Sequence, residues 1–175
     1  MKSTNSGKLN PIQQCNLSIP GGKPIVMNNL PDISDSKSAN YNNEGIIGRS
    51  FPLYTYYYSG DRVINMQIHF FIVNKDDALV NLNALRLIQS AVYPRPGSGG
   101  APFAPPPVCS IQCGQLLGSQ PLCVILTSYS VRFPTEVAWD EKLLVPFRFD
   151  VDTSWLTVYT SDDLPSNDRI ITSGR

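Results

Sequence analysis

The sequence predicts an α+β fold: one domain, an antiparallel β-sandwich or barrel with a single amphipathic helix packed on it and an extended N-terminal arm. Three observations carry this. Two stretches, residues 64–72 and 143–151, alternate apolar and polar side chains with the period of two that marks a half-buried strand. Residues 79–92 repeat their apolar positions every three or four residues, the spacing of a helix with one buried face. Between these, residues 105–131 read as strand, turn and strand. The implied divisions are an arm over 1–45, the domain over 46–160 and a polar tail over 161–175.

Taken in order, the first 45 residues show little periodicity. They are rich in Asn (Asn28, Asn29, Asn40, Asn42, Asn43), with Gly21-Gly22 interrupting, and only Pro24–Met27 suggests a short extended piece. A stretch this long without its own pattern is usually an interaction segment. From Phe51 the chain turns aromatic: Tyr54, Tyr56, Tyr57 and Tyr58 precede Ser59-Gly60-Asp61, whose residue types favour a turn. Ile64, Met66, Ile68, Phe70 and Ile72 then share one face and Asn65, Gln67 and His69 the other, so residues 51–73 are expected to form a hairpin.

Asn74-Lys75-Asp76-Asp77 offers a helix N-cap with acidic residues at the positive end of the dipole. The expected buried stripe is Leu79, Leu82, Leu85, Ile88 and Val92. Tyr93 to Ala104, with three prolines and three glycines, ends the helix as an exposed loop. Pro105-Pro106-Pro107 fixes an extended lead into Val108–Gly114, because each ring locks φ and pushes its predecessor out of the helical region. Gly114, Gly118 and Pro121 mark the turn before Leu122–Val131. A long turn over 132–141 leads to Leu143, Val145, Phe147, Phe149 and Val151 on one face, with Pro146 interrupting the ladder once. Trp155–Tyr159 is expected as one further short strand or packing segment.

The 175 residues carry 14 basic and 14 acidic side chains, a formal net charge of zero, with neither sign in a block. Such a chain has no long-range attraction for phosphate backbones or anionic lipid, which argues against nucleic-acid or membrane-surface binding as the main role. No apolar run approaches the roughly 20 residues of a membrane span, and Met1–Asn5 lacks the apolar core of a signal peptide. Synthesis in the cytoplasm is therefore expected, with Cys15, Cys109, Cys113 and Cys123 as reduced thiols.

Chemistry-bearing constellations are sparse. His69 is the only histidine and lies on the polar side of a strand. Pairing it with a cysteine for nucleophilic catalysis, or with three for zinc, lacks the flanking signature either needs. Asp76-Asp77 is explained by capping and Asp162-Asp163 by a solvated tail, and Gly97–Gly100 has no lysine of a phosphate-binding loop. No catalytic residue, cofactor or metal is assigned. The tyrosine run is open to two readings, a sugar-binding face or a sheet face packed against a neighbour.

The order of elements resembles the tube-like domain of phage baseplate and tail-tube initiator proteins and of related contractile injection systems. The likeness lies in Ile64–Phe70, Leu82–Leu87, Pro106-Pro107-Val108 with Gly114, Val124–Val131 and Val145–Phe149, across roughly residues 45–160. The long arm and the cysteines depart from that pattern. The resemblance implies a structural, non-enzymatic virion protein that forms or initiates a tail tube and joins it to the hub. Its partners would be copies of itself in a ring, six as the first guess, and neighbouring tube, hub and baseplate proteins. Contacts are expected from Tyr93, Pro94, Arg95, Pro96, Gly97, Pro102 and Phe103 of the Gly/Pro loop, from Tyr54 and Tyr56, and from the arm. A carbohydrate-binding β-sandwich using the tyrosines is the alternative, and an enzyme using Cys109 or Cys113 comes third.

Overall fold

The structure, a computed structural model, describes residues 12–97, 102–118, 120–141 and 144–158. In chain order its strands are β1 (Ile12–Ser18), β2 (Ile25–Met27), β3 (Asp32–Glu44), β4 (Leu53–Phe71), β5 (Arg95–Pro96), β6 (Phe103–Ala104), β7 (Cys109–Cys113), β8 (Leu122–Arg132), β9 (Trp139–Asp140), β10 (Val145–Pro146) and β11 (Arg148–Thr157). The helix α1 (Lys75–Ser90) follows β4. Seven strands form one antiparallel sheet in the order β2-β1-β7-β8-β11-β4-β3, and β5–β6 and β9–β10 are separate two-stranded ladders. The described residues form a single α+β domain, mostly antiparallel sheet with one helix, whose seven main strands are hydrogen-bonded neighbours in one continuous sheet.

Period-two patterning decides which face is inside. Ile64, Met66, Ile68 and Phe70 of β4 turn inward beside Phe149, Val151 and Trp155 of β11, and Val124, Leu126, Ile111 and Leu17 extend the same core across the sheet. The Phe70 and Phe149 rings stack with centroids 4.9 Å apart. Trp155 is fully buried, and its indole N–H donates to the Thr153 hydroxyl at 2.7 Å, which donates in turn to the Met66 carbonyl at 2.9 Å. Buried polar groups are thus satisfied in place.

Asn74 caps α1, and its backbone N–H donates to the Asp77 carboxylate at 3.1 Å, the return half of a capping box. The buried face of the helix is Ala78, Asn81, Ala84, Leu85 and Ile88. Of the expected stripe, Leu85 and Ile88 are buried and Leu82 and Val92 pack against the core, while Leu79 is exposed. Alanines let the helix approach the sheet, and Asn81 donates to the Phe71 carbonyl at 2.8 Å, a polar anchor that a count of apolar residues overlooks. The loop between β1 and β2 closes over the same helix; a Cβ at Gly22 would collide with Leu87.

Four expectations are revised. Residues 51–73 are one strand, not a hairpin: β4 runs unbroken through Ser59-Gly60-Asp61 and pairs with β3. The register shifts there, Lys37 pairing with Arg62 and Ala39 with Ser59, so the glycine marks a bulge, and a Cβ at Gly60 would collide with the Ser38 hydroxyl. Residues 12–44, expected within an arm, supply β1, β2 and β3 to the sheet. Phe147 is exposed because β10 ends at Pro146 and the chain re-phases before β11; Leu143, its expected companion, lies outside the described residues. Trp155–Thr157 continues β11 rather than forming a further strand, while Tyr159 and the tail over 161–175 lie outside the described residues. The hairpin over 105–131 appears as β7 and β8, paired Cys109 to Val124 and Ile111 to Leu122.

Candidate interaction surface

From Val63 to Gln67, β4 is flanked by β3 and β11, and from Ile68 to Phe71 it pairs with β11; from Leu53 to Arg62 it has β3 alone. The first half of β4 and residues 37–44 of β3 therefore leave the body as a two-stranded ribbon, about 30 Å long at strand rise. A bidentate pair, Arg62 Nε to Asp35 Oδ1 at 3.0 Å with Nη2 on Oδ2, ties its root. The surface above is aromatic: Tyr41, Tyr54, Tyr56, Tyr57 and Tyr58 are each more than half exposed. Tyr41 and Tyr56 meet edge-to-face across the strands at 5.8 Å. A second register shift, between Asn40 and Tyr41, leaves Tyr57 as an extra residue on β4, and its ring meets that of Tyr58 at 5.2 Å. The loop at the far end, residues 45–52, exposes Ile46, Ile47 and Phe51.

At the opposite end of the same strands lies a second apolar region. The Ile72 N–H donates to the Phe147 carbonyl at 2.8 Å, the Phe147 N–H to the Ala138 carbonyl at 3.0 Å, and Trp139 pairs with Pro146. These bonds bring Val73, Trp139, Leu144 and Phe147 to the end of the sheet where β8 passes into Phe133, all five side chains exposed.

The expected contact residues separate into two groups. Tyr54 and Tyr56 lie on the ribbon. Arg95 and Pro96 pair with Ala104 and Phe103 as the small β5–β6 hairpin, with Tyr93 and Pro94 leading in and Gly97 and Pro102 at its tip; residues 98–101 of the loop lie outside the described residues. Arg95 donates to the Pro20 carbonyl, so this hairpin is clasped to the β1–β2 loop, while Tyr93 and Phe103 stay exposed. Tyr93 hydrogen-bonds Tyr129, which together with burial raises the Tyr129 phenol above its ordinary value. Sequence reasoning missed Tyr41 and the apolar loop 45–52, because the Asn/Ser-rich segment Asp32–Glu44 carries no strand pattern of its own.

The outer face of the body is polar. A groove of about 670 Å³ crosses it, bordered by Ser34, Asn65, Gln67, Ser128 and Asp152. Beside it His69 Nδ1 lies 2.6 Å from Asp150 and Nε2 lies 3.5 Å from Asp32, so the imidazole links β3, β4 and β11. Burial pushes the Asp150 carboxyl up, but hydrogen bonds from His69 and Arg148 outweigh it and hold the group below its ordinary value.

The cysteines differ from the expectation of reduced thiols. Cys15 and Cys113 are directly opposite across β1 and β7 and are joined as a disulfide. Burial pushes the Cys109 thiol up to about 11, against the opposing pull of Arg95, so it carries a proton at neutral pH. Neither Cys109 nor Cys113 is a thiolate nucleophile here. Among the described residues no cluster of three or more His, Cys, Asp or Glu is placed to hold a metal ion, and no helix is long and apolar enough to cross a membrane.

No family model matches the sequence, and no curated protein matches it. Among solved structures, the chain is similar to one from an extracellular contractile injection system, the PVC sheath–tube complex in its extended state. The TM-score is 0.41 and the identity 12%, over 91% of this chain and 96% of that one.

Proposed function

We propose that this protein is a structural subunit of a contractile tail or related injection machine, forming or initiating the tube and joining it to the hub. It acts by packing against copies of itself in a ring and against neighbouring tube, hub and baseplate proteins. The observation that carries this reading is the ribbon. A two-stranded hairpin is marginally stable in water by itself, yet this one extends from the body with exposed tyrosines and an apolar end loop. Aromatic surface of that kind belongs to protein interfaces, where Tyr supplies contact area at low entropic cost. The β5–β6 hairpin, with exposed Tyr93 and Phe103, is a second contact element.

Electron microscopy of the purified protein tests this directly. Rings or short tubes are expected, along with recovery of the chain in a mass-spectrometric inventory of tail or injection particles. Monodisperse monomers that bind glycans and never co-purify with such particles would sink the proposal.

A further inference from the structure

We propose that the chain beyond β11 covers the open edge of the ribbon: residues 159–164 run antiparallel to residues 55–60 of β4 and add a third strand. The inference goes beyond the assembly role and does not depend on it. Among the described residues, nothing pairs with the β11 side of β4 over residues 53–61. Such an edge offers unpaired N–H and C=O groups as a template for another strand, and a ribbon of two strands is marginally stable in water.

The register of β11 names the occupant. Arg148 lies opposite Phe71 and Leu156 opposite Val63, with no shift between them. Each further residue of the chain therefore moves one residue back along β4, so that the segment after Val158 enters the open edge. On its other side β11 is still held at Val158, whose N–H donates to the Cys123 carbonyl at 2.9 Å. That side then runs out, because β8 begins at Leu122, directly after Pro121.

The same bond sets the length of the added strand. Backbone groups of successive residues point to opposite sides of a strand. With Val158 turned to β8, Tyr159, Ser161 and Asp163 turn to β4. Pro165 is next in that series; it has no N–H and closes the ladder. A strand from a second copy could take this edge only by turning the chain aside after Val158. The ribbon thus meets its neighbours through its tyrosine faces, without adding their strands to its edge.

Hydrogen exchange on the full chain, compared with a chain ending at Val158, tests the pairing. Truncation should speed exchange over residues 55–60 by about tenfold or more, while protection over residues 64–70 stays and shows that the body is folded. Crosslinking gives a second measurement, in a Cys123→Ser background that removes the exposed thiol beside Val158. Thr160→Cys is combined with Ser59→Cys or, since the Gly60 bulge displaces the register by one residue, with Tyr58→Cys. One of these pairs should form a disulfide within a single chain, in preference to Thr160→Cys with Asn43→Cys on β3. Unchanged exchange over residues 55–60 after truncation, or no crosslink at either position, overturns the proposal. Protection or crosslinks that form only between chains and grow with concentration would give the edge to a second copy and overturn it too, while the assembly role stands.

Discussion

Between Val63 and Phe71, β4 pairs with β11, with β3 on its other side as far as Gln67, and sends every second side chain into the core; between Leu53 and Arg62 the same strand has β3 alone and buries nothing. The two halves share a backbone conformation and differ in what their side chains do. Ile64, Met66 and Ile68 each remove apolar surface from water, a gain of roughly 1.5–3 kcal/mol per side chain. Tyr54 to Tyr58 leave theirs in water and contribute little to folding. Stability and assembly are therefore carried by separate stretches of one strand, and substitutions should separate them.

The largest effect belongs to the body. Trp155→Ala removes the largest fully buried side chain and leaves the Thr153 hydroxyl without its indole donor. The expected loss is about 3–5 kcal/mol in chemical denaturation. A loss below about 1 kcal/mol would mean that the β11 side of the core does not hold the fold. Next is the Cys15–Cys113 crosslink, which spans 98 residues of sequence and staples β1 to β7. Reduction, or Cys15→Ala with Cys113→Ala, should cost about 2–5 kcal/mol in the same assay. Thiol labelling of the native oxidised protein should modify exposed Cys123 while protonated, buried Cys109 is spared.

A smaller, pH-dependent effect tests the polar outer face. Asp150 is held below its ordinary value, so its contribution is present above the unfolded pKa of about 3.9 and disappears as pH falls through the lower folded value. Asp150→Asn should therefore be less stable than wild type at pH 7, with the gap closing below about pH 4. A constant gap from pH 7 to pH 3 would mean that the hydrogen bonds from His69 and Arg148 do not stabilise the carboxylate.

How much of this was readable from residues alone follows the same division. Where burial dictates pattern, the reading holds: Ile64 to Phe70 face the core, Cys109–Cys113 pairs with Leu122–Arg132, and the helix starts within the capping segment 74–77, although the cap is Asn74 and not an aspartate. Where pairing partners dictate conformation, it does not. Ser59-Gly60-Asp61 has turn residues, yet the bulge opposite Ser38 absorbs them and the strand continues. Asp32–Glu44 is poor in β-formers and is a strand because β4 supplies a template. The disulfide was hidden for the same reason, since only the β1–β7 register places residues 98 apart in sequence side by side. Of the candidate surface, the tyrosine run was visible as composition, while Tyr41 and the two apolar ends required the register and the topology.

The smallest expected change in stability comes from the ribbon, and it is the sharpest test of the comparison. Tyr56→Ser with Tyr58→Ser removes two rings that cover no core residue and whose main partners are Tyr41, Tyr57 and the Ser59 hydroxyl. Exposed positions of this kind usually shift stability by no more than about 0.5 kcal/mol each, so the denaturant midpoint should barely move. Self-association should nevertheless fall, because aromatic anchors dominate interface energy when neighbours exclude water around them. If the double variant unfolded as readily as Trp155→Ala, the ribbon would be part of the core economy and the division proposed for β4 would be wrong. If it remained stable and assembled like wild type, the tyrosines would have no role in contact, and the burden of assembly would shift to the 45–52 loop and the β5–β6 hairpin.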